Sequence, residues 1–161
     1  MKRILAVILI VFFGAVELAS GQTANDAYLA LKKMEAKTQV GISQMNYTPA
    51  LAETKFAVER YLESKEAKKT PELNEHLDKA LTAYLHAKDI FDVRSDGDTP
   101  FTDTLKGELV RKVYPKAISY PSHLEGTPRE GAKYYKLPEV ISGLWGEASK
   151  EIKKASFYLN N

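Results

Sequence analysis

Between Leu73 and Phe91 the chain repeats a single step. Leu73, Leu77, Ala80, Tyr84, Ala87 and Phe91 follow one another at alternating intervals of four and three. With 3.6 residues per turn, that spacing holds all six side chains on one stripe, so the segment has to be a helix that buries one face. Thr70-Pro71 opens it: threonine serves as N-cap, proline takes the first helical position where a missing N–H costs nothing, and Glu72 lies toward the positive end of the helix dipole. Leu137, Ile141, Leu144, Ala148, Ile152, Ala155 and Leu159 keep the same step to the end of the chain, starting near Leu137-Pro138.

Two further helices follow from the same rule. Ala24, Ala27, Leu31, Met34, Thr38, Gly41 and Met45 form one seam, which predicts a helix from about Thr23 to Asn46 whose small residues allow a close helix neighbour. Thr48-Pro49 then reads as a fresh start, with Leu51, Thr54, Val58, Tyr61, Leu62 and Lys65 on one face and Ala50 and Ala57 beside them. The two Thr-Pro starts and the runs after them look like a weak one-helix repeat, for which similar caps and heptads are explanation enough. Leu105, Leu109, Val110 and Val113 support a shorter helix over 102–114. Pro115, Pro121, Gly126, Pro128 and Gly131 allow no long regular element over 115–136, and no convincing run of alternating strand residues occurs.

With no cysteine, disulfides, thiol redox chemistry, iron-sulfur clusters, c-type haem attachment and cysteine zinc sites are all excluded. A fold without such staples must rest on packing. The first residues explain where it would operate. Lys2 and Arg3, the apolar run Ile4 to Phe13, and the small residues Ala19, Ser20 and Gly21 have the layout of a secretory signal peptide cut before Gln22. Glu17 falls where a membrane span of about 20 residues would need hydrocarbon, so no stable membrane insertion is expected after cleavage. Residues 1–21 are therefore read as a leader and 22–161 as one domain, periplasmic or secreted. The formal net charge is +2, with basic pairs scattered among carboxylates, which argues against a nucleic-acid partner.

The chemistry-bearing residues converge poorly. His76, His86 and His123 are the only imidazoles, and none forms a His-Glu-x-x-His or inward Glu-x-x-His pattern. His76 follows Glu75 and lies four residues after Glu72, which suggests a surface ion pair. Met34 or Met45 with His76 or His86 could ligate a haem, but filling of the helical seam accounts for both methionines. Asp92, Asp96, Gly97, Asp98 and Asp103 resemble a calcium loop in spacing. Arg94 and Pro100 occupy ligand positions and Asp103 is shorter than the expected glutamate, so a solvated turn is the better reading. There is no nucleophile elbow, phosphate-cradling loop or cysteine nucleophile, and the carboxylates are spaced as helix-surface charges.

These observations predict an all-α fold: an antiparallel bundle of four main helices plus one short helix, with a long Pro/Gly-containing loop before the last. They predict no enzyme and no cofactor or metal. The expected role is non-enzymatic, binding an as yet unknown protein or small ligand or serving a structural purpose; a bundle holding a small ligand, haem or metal is the alternative. The expected contact surface comprises His123, Arg129, Tyr134, Tyr135 and Trp145, because aromatic and arginine side chains dominate interface energetics and a long loop is where function concentrates. Packing of the same rings onto the helices is the competing explanation.

Overall fold

The structure, a computed structural model, describes residues 23–95, 100–123 and 130–159. The leader 1–21, the Asp96–Gly97–Asp98 part of the acidic turn and Arg129 lie outside the described residues. The chain is mostly helical: α1 (Ala24–Gln39), α2 (Gln44–Leu62), a 3-10 turn (Ala67–Lys69), α3 (Pro71–Ser95), α4 (Leu105–Val113) and α5 (Leu137–Leu159), with a small sheet of β1 (Ser119–Pro121) and β2 (Lys133–Tyr135).

α3 and α5 share the most extensive interface, while α1 packs on α2 and α5, and α2 on α3. The stripes that the sequence places on α3 and α5 are buried apart from Leu159, which is only partly covered: Leu73, Leu77, Ala80, Tyr84, Ala87 and Phe91 join Leu137, Ile141, Leu144, Ala148, Ile152 and Ala155 in one core. Leu31, Met34, Leu51, Val58 and Tyr61 complete that core from α1 and α2. Packing of this kind, without staples, is what holds a cysteine-free domain together.

The boundary between α1 and α2 corrects the sequence reading. α1 stops at Gln39, because Gly41 adopts a left-handed φ of +85° that a continuing helix cannot accommodate. Ser43, not Thr48, is the N-cap of α2 and accepts from the Asn46 N–H at 3.4 Å. Pro49 consequently sits inside the helix. The reason is Tyr47. Tyr47, Leu51, Thr54, Val58 and Tyr61 follow the four-three step, and a helix that begins at Gln44 brings the whole set into the core. Met45 is then 85% exposed instead of lying on a buried seam. The two Thr-Pro pairs are no longer equivalent, since only Thr70-Pro71 opens a helix, and the apparent repeat loses its basis.

Two more expectations change. Leu105 is 85% exposed, so α4 packs through Val110 with Leu109 and Val113 at its margin. The His76 side chain, 15% exposed, turns away from its own helix: Nδ1 lies 2.7 Å from Glu151 Oε2 on α5, and its ring packs against Tyr158. The segment 115–136, in which no strand was expected, contains β1 and β2.

Candidate interaction surface

β1 and β2 pair antiparallel with Ser119 opposite Tyr135, Tyr120 opposite Tyr134 and Pro121 opposite Lys133. Phe101 adds an isolated antiparallel bridge to Tyr134 on the other side of β2. The backbone bonds agree with that order. Thr102 N–H donates to the Lys133 carbonyl at 2.9 Å and Tyr135 N–H to the Pro100 carbonyl at 3.2 Å, while Ser122 N–H donates to the Ala132 carbonyl at 2.7 Å. β2 therefore lies between β1 and the Phe101 bridge in a two-stranded ribbon.

Register then decides which side chains share a face. Residues directly opposite one another point the same way, and neighbours along a strand point opposite ways. Phe101, Tyr134 and Tyr120 thus form a row across the outer face, with ring centroids 6.4 Å apart for the first pair and 6.3 Å for the second. Tyr135 belongs to the inner face and is 8% exposed, within the helical core. Two glycines allow close approaches here, one between α4 and the Phe101 segment and one between α5 and the end of α4. A Cβ at Gly107 would overlap the Phe101 carbonyl, and one at Gly143 would overlap the Tyr114 ring. Thr104 caps α4 through the Gly107 N–H and also donates to the Phe101 carbonyl at 2.7 Å.

On the outer face Tyr120 is held in place from both ends. Its hydroxyl donates to Glu139 Oε2 at 2.6 Å, and the Lys136 ammonium lies 3.9 Å from the ring centroid and 3.3 Å from Glu139 Oε1. The hydrogen bond from Tyr120 keeps the Glu139 carboxyl below its ordinary range, and the same bond raises the Tyr120 phenol. Ile118, just before β1, is 66% exposed. The free edge of β1 ends on Pro121, which has no N–H to offer an added strand, so side chains and not edge pairing must make any contact here.

The residues expected to form one surface are thus distributed. Tyr134 is on the outer row. His123 is exposed just beyond β1. Tyr135 supports the ribbon from beneath. Trp145 joins a separate cluster: it stacks on Tyr47 at 6.0 Å, lies 6.0 Å from Phe91, and its Nε1 donates to the Tyr47 hydroxyl at 3.3 Å. That hydroxyl in turn donates to the Tyr84 carbonyl at 2.9 Å, and burial raises the Tyr47 phenol far above its usual range. Sequence reasoning missed Tyr120, Phe101, Lys136 and Glu139, whose association depends on register, and Tyr47, whose place in the four-three step was visible.

Glu35, buried between α1 and α5, accepts from Ser149 and pairs with Lys32. The buried Tyr84 hydroxyl faces Thr38 without reaching hydrogen-bond geometry. A groove of about 520 Å³ between α3, α5 and the end of α4 sets Asp78, Glu147 and Glu151 among Lys79, Lys116 and Lys150, with His86 at its wall. Met34 fills the core. Among the described residues, no group of three histidine, aspartate or glutamate side chains could hold a metal ion, and no helix is long and apolar enough to cross a membrane. No family model, curated protein or solved structure matches this chain.

Proposed function

We propose that this chain is an exported, non-enzymatic protein, periplasmic or secreted, whose helices form an antiparallel bundle and whose ribbon carries the partner-binding face. The observation that carries this reading is the ribbon's outer row. Tyr120 and Tyr134 are half-exposed, fixed by backbone pairing and flanked by the exposed Ile118. Rigid aromatic side chains supply large contact area at small entropic cost, which is why such residues anchor interfaces. Tyr134 is the centre of this contact, with the exposed His123 just beyond β1; Arg129, outside the described residues, is proposed to join it on its chemistry alone. Tyr135 and Trp145 act from below by packing.

Support for export comes from the basic tip, the apolar run and the small residues before Gln22. A non-catalytic role is supported by carboxylates and lysines that pair with one another along helix surfaces. A photo-crosslinking residue placed at Ile118 tests the interface, with the same residue at Leu29, an exposed apolar position on α1, as control. In native extract the Ile118 position should give a discrete adduct and the Leu29 position should not. No adduct at Ile118, or equal adducts at both, would refute the ribbon as the contact face. The intact mass of the exported protein checks processing, and a chain beginning at Gln22 is expected.

A further inference from the structure

Resting on the ribbon as the contact face, we infer that Tyr120, Tyr134 and Glu139 form a cradle for an ammonium group, and that the partner fills it with a lysine side chain. The geometry shows what the cradle accepts, because the chain's own Lys136 now occupies it. The Lys136 ammonium lies 3.9 Å from the Tyr120 ring centroid and 3.3 Å from Glu139 Oε1. The Tyr120 hydroxyl, bonded to Glu139 Oε2 at 2.6 Å, fixes carboxylate and ring relative to one another. Tyr134 stands beside Tyr120 at 6.3 Å, so a second ring borders the same space. A ring face and an ionised carboxylate on adjacent sides are what an ammonium ion requires.

Lys136 is a weak occupant. Its side chain is 43% exposed, and an exposed ion pair and cation–ring contact hold a flexible lysine only loosely. A lysine delivered within an interface meets the same groups with water excluded, where both contacts strengthen. Among the described residues of the ribbon, the exposed Lys133, opposite Pro121 in the register, lies on the face away from Tyr120 and Tyr134 by strand alternation and does not oppose its entry. Lys136 itself leaves on a long free stem.

The test uses the full domain with fluorine-labelled tyrosine, Lys136→Met to empty the cradle, and a blocked lysine amide as the probe. A blocked norleucine amide, which has the stem without the charge, is the control. In Lys136→Met the lysine probe should shift the Tyr120 resonance saturably while norleucine does not. The native chain should need about three- to fivefold more probe, the size of advantage that an exposed ion pair confers. Adding Glu139→Gln to Lys136→Met should abolish the shift. Both altered side chains are exposed, so an unchanged melting temperature verifies the fold. No shift in Lys136→Met, an equal shift with norleucine, or an undiminished shift after Glu139→Gln would overturn the cradle. If the Ile118 adduct still forms in that case, the ribbon interface survives and only its ammonium chemistry falls.

Discussion

The α3–α5 seam and the ribbon differ in what makes them. In the seam, each buried residue is placed by its distance along its own helix, and the period of the chain coincides with the period of the structure. In the ribbon, Phe101, Tyr120 and Tyr134 come together only because three short segments pair, and the register of that pairing assigns each ring to one face or the other. One region therefore takes its buried face from the period of each helix by itself. The other depends on pairing between segments and on a few close approaches, and two of its rings, Tyr120 and Tyr134, remain partly uncovered while Phe101 is buried.

The sharpest contrast should come from the seam. Leu77→Ala removes a fully buried side chain from the first third of α3 and should destabilise the fold by roughly 2 to 5 kcal/mol in denaturant unfolding. A loss below about 1 kcal/mol would mean that this seam is not the main source of stability. Gly107→Ala should act on the ribbon instead. The new methyl overlaps the Phe101 carbonyl, so α4 and the Phe101 segment must part at a cost of about 1 to 3 kcal/mol. Amide exchange should then accelerate at Thr102 and Tyr135 while the middle of α3 stays protected; uniform acceleration would show that the two regions unfold as one.

Tyr47→Phe should cost about 1 to 2 kcal/mol, because it leaves the Trp145 Nε1–H without its acceptor while preserving the three-ring packing. Retained Trp145 fluorescence with lowered stability is the expected signature. The smallest effect concerns Glu151. Burial pushes its carboxyl upward, but hydrogen bonds from Lys154 and His76 outweigh that and hold it below its ordinary value of 4.5. A carboxyl whose value is depressed on folding contributes stability above its unfolded value and loses it as pH falls through the folded one. The native domain should therefore weaken below about pH 4.5 by more than Glu151→Gln does, as measured by melting temperature against pH. Parallel curves would remove Glu151 as a source of acid sensitivity.

What could be read in the sequence follows the same division. The buried faces of α3 and α5 were legible because helical neighbours are three and four residues apart in the chain. The start of α2 was harder, since Thr48-Pro49 carries a strong local signal, and only the burial of Tyr47 together with the left-handed Gly41 decides in favour of Ser43. The His76–Glu151 pair joins two helices through side chains, and the ribbon joins segments through backbone bonds between three-residue strands too short to show alternation. Tyr134 and Tyr135 are adjacent and chemically alike, so composition assigned them one role. Strand geometry sends them to opposite faces.

That opposition is the central claim, and one paired measurement tests it. Tyr134→Ala and Tyr135→Ala are each assayed for melting temperature and for formation of the Ile118 crosslink. Tyr134→Ala should lose most of the adduct while its melting temperature changes little, and Tyr135→Ala should lower the melting temperature by several degrees, in line with truncation of a buried ring. Undiminished crosslinking in Tyr134→Ala, or a Tyr135→Ala domain as stable as the native chain, would contradict the division of the ribbon into a contact face and a packing face.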